Sequence, residues 1–305
     1  MENISKKSKI KTISLALLVM ALWGSLFTVI KIGYKAFDIS SSSIPDIIMF
    51  ASMRFIISGL VVCAFSFLRK EKIAAPKTKN IVNIIFVGLF SIVLHYMFTY
   101  VGLSTTDSSK TALIKQLGAL IYVCFAFLFF KNEKFNVYKI IGALIGFGGI
   151  IAINFNPSGI SFSIGDILII GASICTVISN VLAKKYVEGN SPFWITGISQ
   201  FFGGIILFIV AVSMGAEMLT FTFKSALVFT YICTASILGY TLWYYVLKSA
   251  SLSKLFIIKF AEPLFACVCG AVLLGEDIFK LQYLWAFILI SVGIVLGNKR
   301  ESAEW

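Results

Sequence analysis

SASLSKLFIIKFAEPLFACVCGAVLL, residues Ser249–Leu274, is apolar and long enough to cross a bilayer. About 20 helical residues at ~1.5 Å each span a hydrocarbon core of ~30 Å. The stretch nevertheless places Lys259 and Glu262 one turn apart and follows them with Pro263. A charge in hydrocarbon costs ~2.5–3.5 kcal/mol on the insertion scale. A proline inside a helix removes a backbone donor and crowds the preceding turn, so Pro263 is the expected helix break. A helix that lines a polar cavity tolerates all three residues, and the rest of the chain reads as the wall of that cavity.

Composition agrees. The 305 residues are 59% hydrophobic and 13% charged, with a mean hydropathy of +0.95. Soluble domains are about 25% charged, so a polytopic membrane protein is expected. The formal charge of +12 does not point to nucleic acid, because the lysines sit in short connections between apolar runs. The six cysteines all fall inside such runs and lack zinc-ligand spacing, so they read as small packing residues and no metal is expected. The basic N-terminus followed by an apolar run resembles a signal peptide. That run continues to Ile32 without an A-x-A site, which makes it a retained first helix.

About ten helical spans are expected, near 12–32, 46–68, 80–102, 108–130, 137–154, 164–186, 192–214, 225–247, 250–274 and 280–298. Basic residues mark alternate connections: Lys6 to Lys11 before the first span, Arg69 to Lys79, Lys131 to Lys139, Lys184 and Lys185, Lys248 and Lys254, and Lys299 and Arg300. The intervening connections are poor in them. The positive-inside rule then puts both termini in the cytoplasm and the protein in the cell membrane.

The chain also repeats. Shifted by 144 residues, Tyr96–Asn154 lies on Tyr240–Asn298 without a gap. Tyr96 meets Tyr240, Tyr100 meets Tyr244, Ser109-Lys110 meets Ser253-Lys254, and Ile114-Lys115 meets Ile258-Lys259. Matched lysines inside two membrane spans are not a compositional accident. Five spans per half is an odd number, so the second half enters the membrane from the opposite side. The fold expected is an all-α membrane protein of ten transmembrane helices arranged as two inverted five-helix repeats, 1–155 and 156–305. Such repeats are typical of secondary transporters with a substrate site near the midplane.

Five-plus-five inverted halves resemble the EamA-type transporters of the drug/metabolite transporter superfamily. Ala21-Leu22-Trp23-Gly24-Ser25, Arg54-Phe55, Glu262-Pro263-Leu264-Phe265 and Leu274-Gly275-Glu276 look like that family's first-, second- and ninth-helix signatures. Lys131-Asn132-Glu133 looks like a degenerate first-half version of the last. The counterpart of Pro263 is Ala119, a departure from the pattern. The resemblance implies metabolite, amino-acid-like or drug substrates, often exported, and places Glu262 near a central cavity.

Lys115 and Lys259 are the sharpest site candidates: each lies about eight residues inside its span, ~12 Å deep at ~1.5 Å per residue, from opposite sides. Together they offer a positive centre for a carboxylate. Structural readings stand beside this, namely Lys259 paired with Glu262 or a snorkelling lysine. Glu262 could instead take a proton or a cationic group, and His95, the single histidine, could relay protons or hold structure. Tyr96, Tyr100, Tyr240, Trp243 and Tyr244 form aromatic faces able to wall a cavity or to pack. Trp23, Asn180, Gln116 and Gln200 are polar or amphipathic positions within spans, and Arg54 should pair with a carboxylate or face the cytoplasmic vestibule. Gly142, Gly146, Gly148 and Gly149 should allow close helix contact.

The expected function is non-ATP secondary transport, by alternating access, of a small metabolite that is carboxylate-bearing or amino-acid-like, in the direction of efflux. No phosphate loop or nucleophile elbow is present, so neither enzyme activity nor a cofactor is expected. Proton coupling through Glu262 or His95 and simple facilitation both remain open. The alternative is a multidrug or cation exporter centred on Glu262. An intramembrane lipid enzyme and a non-transporting scaffold are the other classes weighed.

Overall fold

The computed structural model describes residues 2–68, 78–129, 137–153, 155–156, 159–160, 162–187, 190–250, 252–259 and 261–297. Lys131–Glu133, Lys134, Asn154, Asn298, Lys299, Arg300 and the basic run from Arg69 to Lys77 lie outside these residues. Between its turns and connections the described chain is helical, with one short antiparallel pair, Phe155–Asn156 with Gly159–Ile160. Six helical stretches are long and apolar enough to cross a membrane: Ile10–Ala36, Ile44–Leu68, Asn80–Thr105, Ile164–Tyr186, Pro192–Ser213 and Phe223–Ser249. Three shorter apolar helices, Ile140–Gly149, Ala261–Leu274 and Leu281–Gly293, accompany them.

In chain order the helices are α1 (Glu2–Ala36), α2 (Ile44–Leu68), α3 (Thr78–Gly88), α4 (His95–Thr105), α5 (Ser108–Ile114), α6 (Leu117–Phe129) and α7 (Val137–Ile153). They continue with α8 (Ile164–Val187), α9 (Pro192–Ser213), α10 (Phe223–Ser249), α11 (Leu252–Ile258), α12 (Ala261–Leu274) and α13 (Leu281–Gly297). One wide π turn, Leu89–Leu94, joins α3 to α4.

The fourth and ninth expected spans are each two short helices rather than one. The second break falls at Lys259, four residues ahead of Pro263. A proline ring collides with the carbonyl four residues back, and here that carbonyl belongs to Lys259. The Lys259 carbonyl instead accepts from the Glu262 amide at 3.0 Å, and Pro263 sits in the first turn of α12, where its missing N–H leaves nothing unpaired. The first break, at Lys115–Gln116, has no proline. It is a tight turn in which Gly118 N–H bonds to Lys115 O at 3.1 Å and Ala119 N–H to Gln116 O at 2.9 Å. The elements keep the 144-residue register of the sequence: α5 maps onto α11, α7 onto α13, and both breaks onto each other.

Large apolar side chains cover the outside. Phe67, Leu144 and Val272 are 79%, 68% and 75% exposed, the pattern of a surface that meets lipid rather than water. Inside, α2 packs along α9 and α7 along α13, while α1 runs between α10 and α12 and α4 lies on α8. The α2–α9 pairing depends on absent side chains. A Cβ at Gly204 would sit 2.6 Å from the Ile56 amide nitrogen, and one at Gly59 would overlap the Phe201 backbone. Gly146 and Gly149 similarly admit Leu120 and Ile290, whereas Gly148 faces open space and takes no part in packing. Overpacking costs typically 1–3 kcal/mol. Gly59→Ala should therefore lower the melting temperature of the purified protein in detergent by several degrees, and Gly148→Ala should leave it unchanged.

Candidate functional site

The two helix breaks face one cavity. α1 contributes Trp23, Leu26, Phe27 and Ile30; the π turn and α4 contribute Ser91, His95, Tyr96 and Thr99. α8 adds Thr176, Ser179 and Asn180, α10 adds Tyr240, Trp243 and Tyr244, and the breaks add Lys115, Lys259 and Glu262. The wide turn at Leu89–Leu94 makes the Ser91 carbonyl available, and Tyr240 Oη donates to it at 3.1 Å.

Lys115 Nζ stands 3.3 Å from His95 Nε2 and 5.0 Å from the Phe27 ring centroid. An ammonium only donates, so Nε2 accepts and the neutral imidazole carries its proton on Nδ1. That proton goes to Thr176 Oγ1 at 2.9 Å, whose own proton goes to the Ala172 carbonyl at 3.1 Å. The chain Lys115–His95–Thr176 thus fixes one imidazole tautomer. Lys259 is 7% exposed and Glu262 2%, and among the described residues neither has a hydrogen-bond or ion-pair partner for its side chain. The Lys259–Glu262 pairing weighed from the sequence is therefore not formed within 4.0 Å. Two ammonium groups and one carboxylate, all inside a spanning fold, meet at a shared void.

Residues 10–155 and 163–298 match the EamA-like transporter family. The chain belongs to that family. It is similar to YvbV, an uncharacterized transporter of Bacillus subtilis strain 168, at 25% identity over 84% of each chain. It is equally similar to YedA, an uncharacterized inner membrane transporter of Escherichia coli K12, at 25% identity over 89% of this chain and 88% of that one. A solved crystal structure covers 96% of this chain with a TM-score of 0.67 at 16% identity, a likeness of fold alone. This EamA-like protein is a multi-pass integral membrane transporter, embedded in lipid and serving a small-molecule substrate.

In this EamA-like chain the cavity collects Trp23, His95, Tyr96, Lys115, Asn180, Tyr240, Trp243, Tyr244, Lys259 and Glu262. Tyr100 lies behind the wall: it is fully buried, accepts a hydrogen bond from Arg54 Nη1, and its carbonyl accepts from Tyr34 Oη at 3.1 Å. Among the described residues Arg54 meets no carboxylate, and it does not open to a vestibule. It is fully buried, donates from Nε to Ser236 Oγ at 2.6 Å, and stacks 4.7 Å and 5.1 Å from the Phe55 and Tyr96 ring centroids. Gln200 bonds the Ser236 carbonyl at 3.4 Å and Gln116 the Ala112 carbonyl at 3.5 Å, both away from the cavity.

Sequence reasoning missed Thr176 and Ser179, although with Asn180 they form a polar stripe at helical spacing on α8. It also missed how Glu276 acts. α12 ends at Gly275, whose φ of +67° turns the chain back. Glu276 then reaches the start of α5, accepting from Ser108 N at 2.8 Å, Ser109 N at 3.0 Å and Ser109 Oγ at 2.6 Å, with Lys31 Nζ at 3.9 Å. Gly270 makes room, since a Cβ there would stand 2.6 Å from Glu276 Oε2. On the other side of α5, Lys110 pairs with buried Asp166 at 2.9 Å, which also closes the first turn of α8 through Ser163. The short broken helix is pinned by a carboxylate at its start and an ion pair at its flank.

Burial pushes the Glu276 carboxyl up, but the Ser109 hydroxyl, the Ser109 and Ser108 amides and Lys31 outweigh it and hold it below the usual range. A carboxyl lowered in the folded state stabilises fully above the unfolded value of about 4.3 and loses that contribution as pH falls through the folded value. Glu276→Gln should therefore cost about 1–3 kcal/mol at pH 7. The gap to wild type should close below about pH 4 in thermal unfolding across a pH series. Nitrogen NMR of the single histidine should report a neutral imidazole protonated on Nδ1 at pH 7. Lys115→Met should weaken that preference, because it removes the donor that Nε2 accepts from.

Proposed function

We propose that the protein is a secondary transporter moving a small carboxylate-bearing or amino-acid-like metabolite outward by alternating access. In this reading ten transmembrane helices form two inverted five-helix halves, 1–155 and 156–305, with both termini in the cytoplasm. The 144-residue register of the helices and breaks supports the two halves, and the alternation of basic connections supports the orientation. The halves rock about a central site, exposing it to one side and then the other.

One observation carries the substrate class. Lys115 and Lys259, equivalent residues at equivalent breaks, face the same cavity, and no carboxylate lies within 4.0 Å of either among the described residues. Buried charges are stable only when partnered, so a cavity with this excess of positive charge favours an anionic group. Glu262 has an open carboxylate on the same wall and suits a substrate ammonium, which favours a zwitterion. Trp23, Tyr96, Tyr240 and Trp243 supply apolar faces for the rest of the molecule. His95 and Glu262 are the groups through which a proton could couple to the cycle. The second reading, a cation exporter, rests on that same open Glu262.

The test is thermal stability of purified protein against amino acids, organic acids, nucleosides and cationic dyes, with wild type beside Lys115→Met and Lys259→Met. A bound ligand at 100 times its dissociation constant adds ~2.7 kcal/mol. Carboxylate ligands should stabilise wild type, and each lysine variant should lose most of that response. Stabilisation by cations alone, equal in all three proteins, would move the site to Glu262.

A further inference from the structure

Lys259 has an environment that a carboxylate-binding lysine does not need. Its Nζ stands 5.5 Å from the Trp23 ring centroid, 5.4 Å from Trp243 and 5.5 Å from Phe256. Three π faces around one buried ammonium is the arrangement by which proteins recognise alkylammonium ligands, through the negative faces of the ring quadrupoles. The walls are held in place. Trp243 donates from Nε1 to Asn180 Oδ1 at 2.7 Å, and Asn180 is itself fixed by its bond to the Thr176 carbonyl at 2.7 Å. Trp23 is wedged against Gly239, where any Cβ would overlap its indole nitrogen. The ammonium inside the cage has no anion within 4.0 Å among the described residues, while Glu262 on the same cavity wall adds a negative field.

We propose that Trp23, Trp243 and Phe256 form a built alkylammonium site that Lys259 fills as a tethered ligand. Lys259 is then a specificity-determining residue. By occupying the cage it excludes small organic cations, and by supplying its own charge it keeps the cavity positive. Emptied of that side chain, the cage accepts a primary or quaternary alkylammonium ion. The inference concerns the same cavity as the proposed function and rests on its being a ligand site, but not on the substrate being a carboxylate.

Lys259→Ala removes three methylenes and the ammonium, a fragment equal in shape and charge to n-propylammonium. The full-length protein in detergent is heated with n-propylammonium, tetramethylammonium, n-propanol or potassium chloride at matched concentrations. Wild type, Lys259→Ala, Lys259→Met and Trp23→Leu/Lys259→Ala are compared. Lys259→Ala should gain at least about 2 °C with n-propylammonium, saturably. Wild type and Lys259→Met, whose cages are filled, should gain nothing, and the Trp23→Leu double variant should lose the response. No response in Lys259→Ala, an equal response in wild type, or an equal response to n-propanol overturns the proposal. If Lys259→Ala accumulates poorly, Lys259→Ser is read in the same way, and the yield of monodisperse Lys259→Ala purified with and without n-propylammonium reads the same binding. Wild type unresponsive to carboxylates would overturn the substrate reading and leave the cage intact; Lys259→Ala unresponsive to ammonium would overturn the cage alone.

Discussion

An ammonium group inside a membrane-spanning fold must find either water or electron-rich partners, and most of this structure answers that requirement for Lys115 and Lys259. Each sits where a helix is interrupted, so its backbone and side chain both border a void rather than lipid. Each also has an aromatic face near its nitrogen: Phe27 for Lys115, and Trp23, Trp243 and Phe256 for Lys259. The two are then treated differently. Lys115 donates to a histidine held by a threonine, whereas Lys259 among the described residues stands against three ring faces, with Glu262 on the same wall. A cavity with pseudo-equivalent lysines thus has chemically unlike ends.

The helix breaks are costly in backbone hydrogen bonds, and the fold supports them from outside. Glu276 satisfies two amides at the start of α5, and the Lys110–Asp166 pair joins α5 to α8. These contacts come from segments distant in sequence, so the geometry of the first break depends on the second half of the chain. α2 and α9 are pressed together where Gly59 and Gly204 carry no side chain.

Much of the architecture was legible in residue order. Length, hydropathy and the lysine-rich connections gave the membrane class, and the 144-residue recurrence of Ile-Lys aligned the two positions at which the structure breaks its helices. Pro263 announced the second break but marked it four residues late, because a proline disrupts the carbonyl behind it. Nothing local announced the first: Ala119 stands where the second half has proline. Arg54 was misleading on its own, since a buried guanidinium suggests a carboxylate, and only packing reveals that a phenol, a serine and two ring faces serve instead. Tyr100 repeats Tyr244 in register yet sits behind the wall, because Arg54 holds its hydroxyl.

The sequence by itself determined that this chain lives in a bilayer, belongs among EamA-like transporters, and places lysines, a glutamate and aromatic residues inside its spans. It did so because hydropathy, charge and period are properties of neighbours along the chain. Tertiary structure alone decided which of those residues share a void. The tautomer of His95, the reach of Glu276 to α5 and the ring faces around Lys259 all join residues far apart in sequence. Their distances are set by helix packing, which the local sequence does not encode.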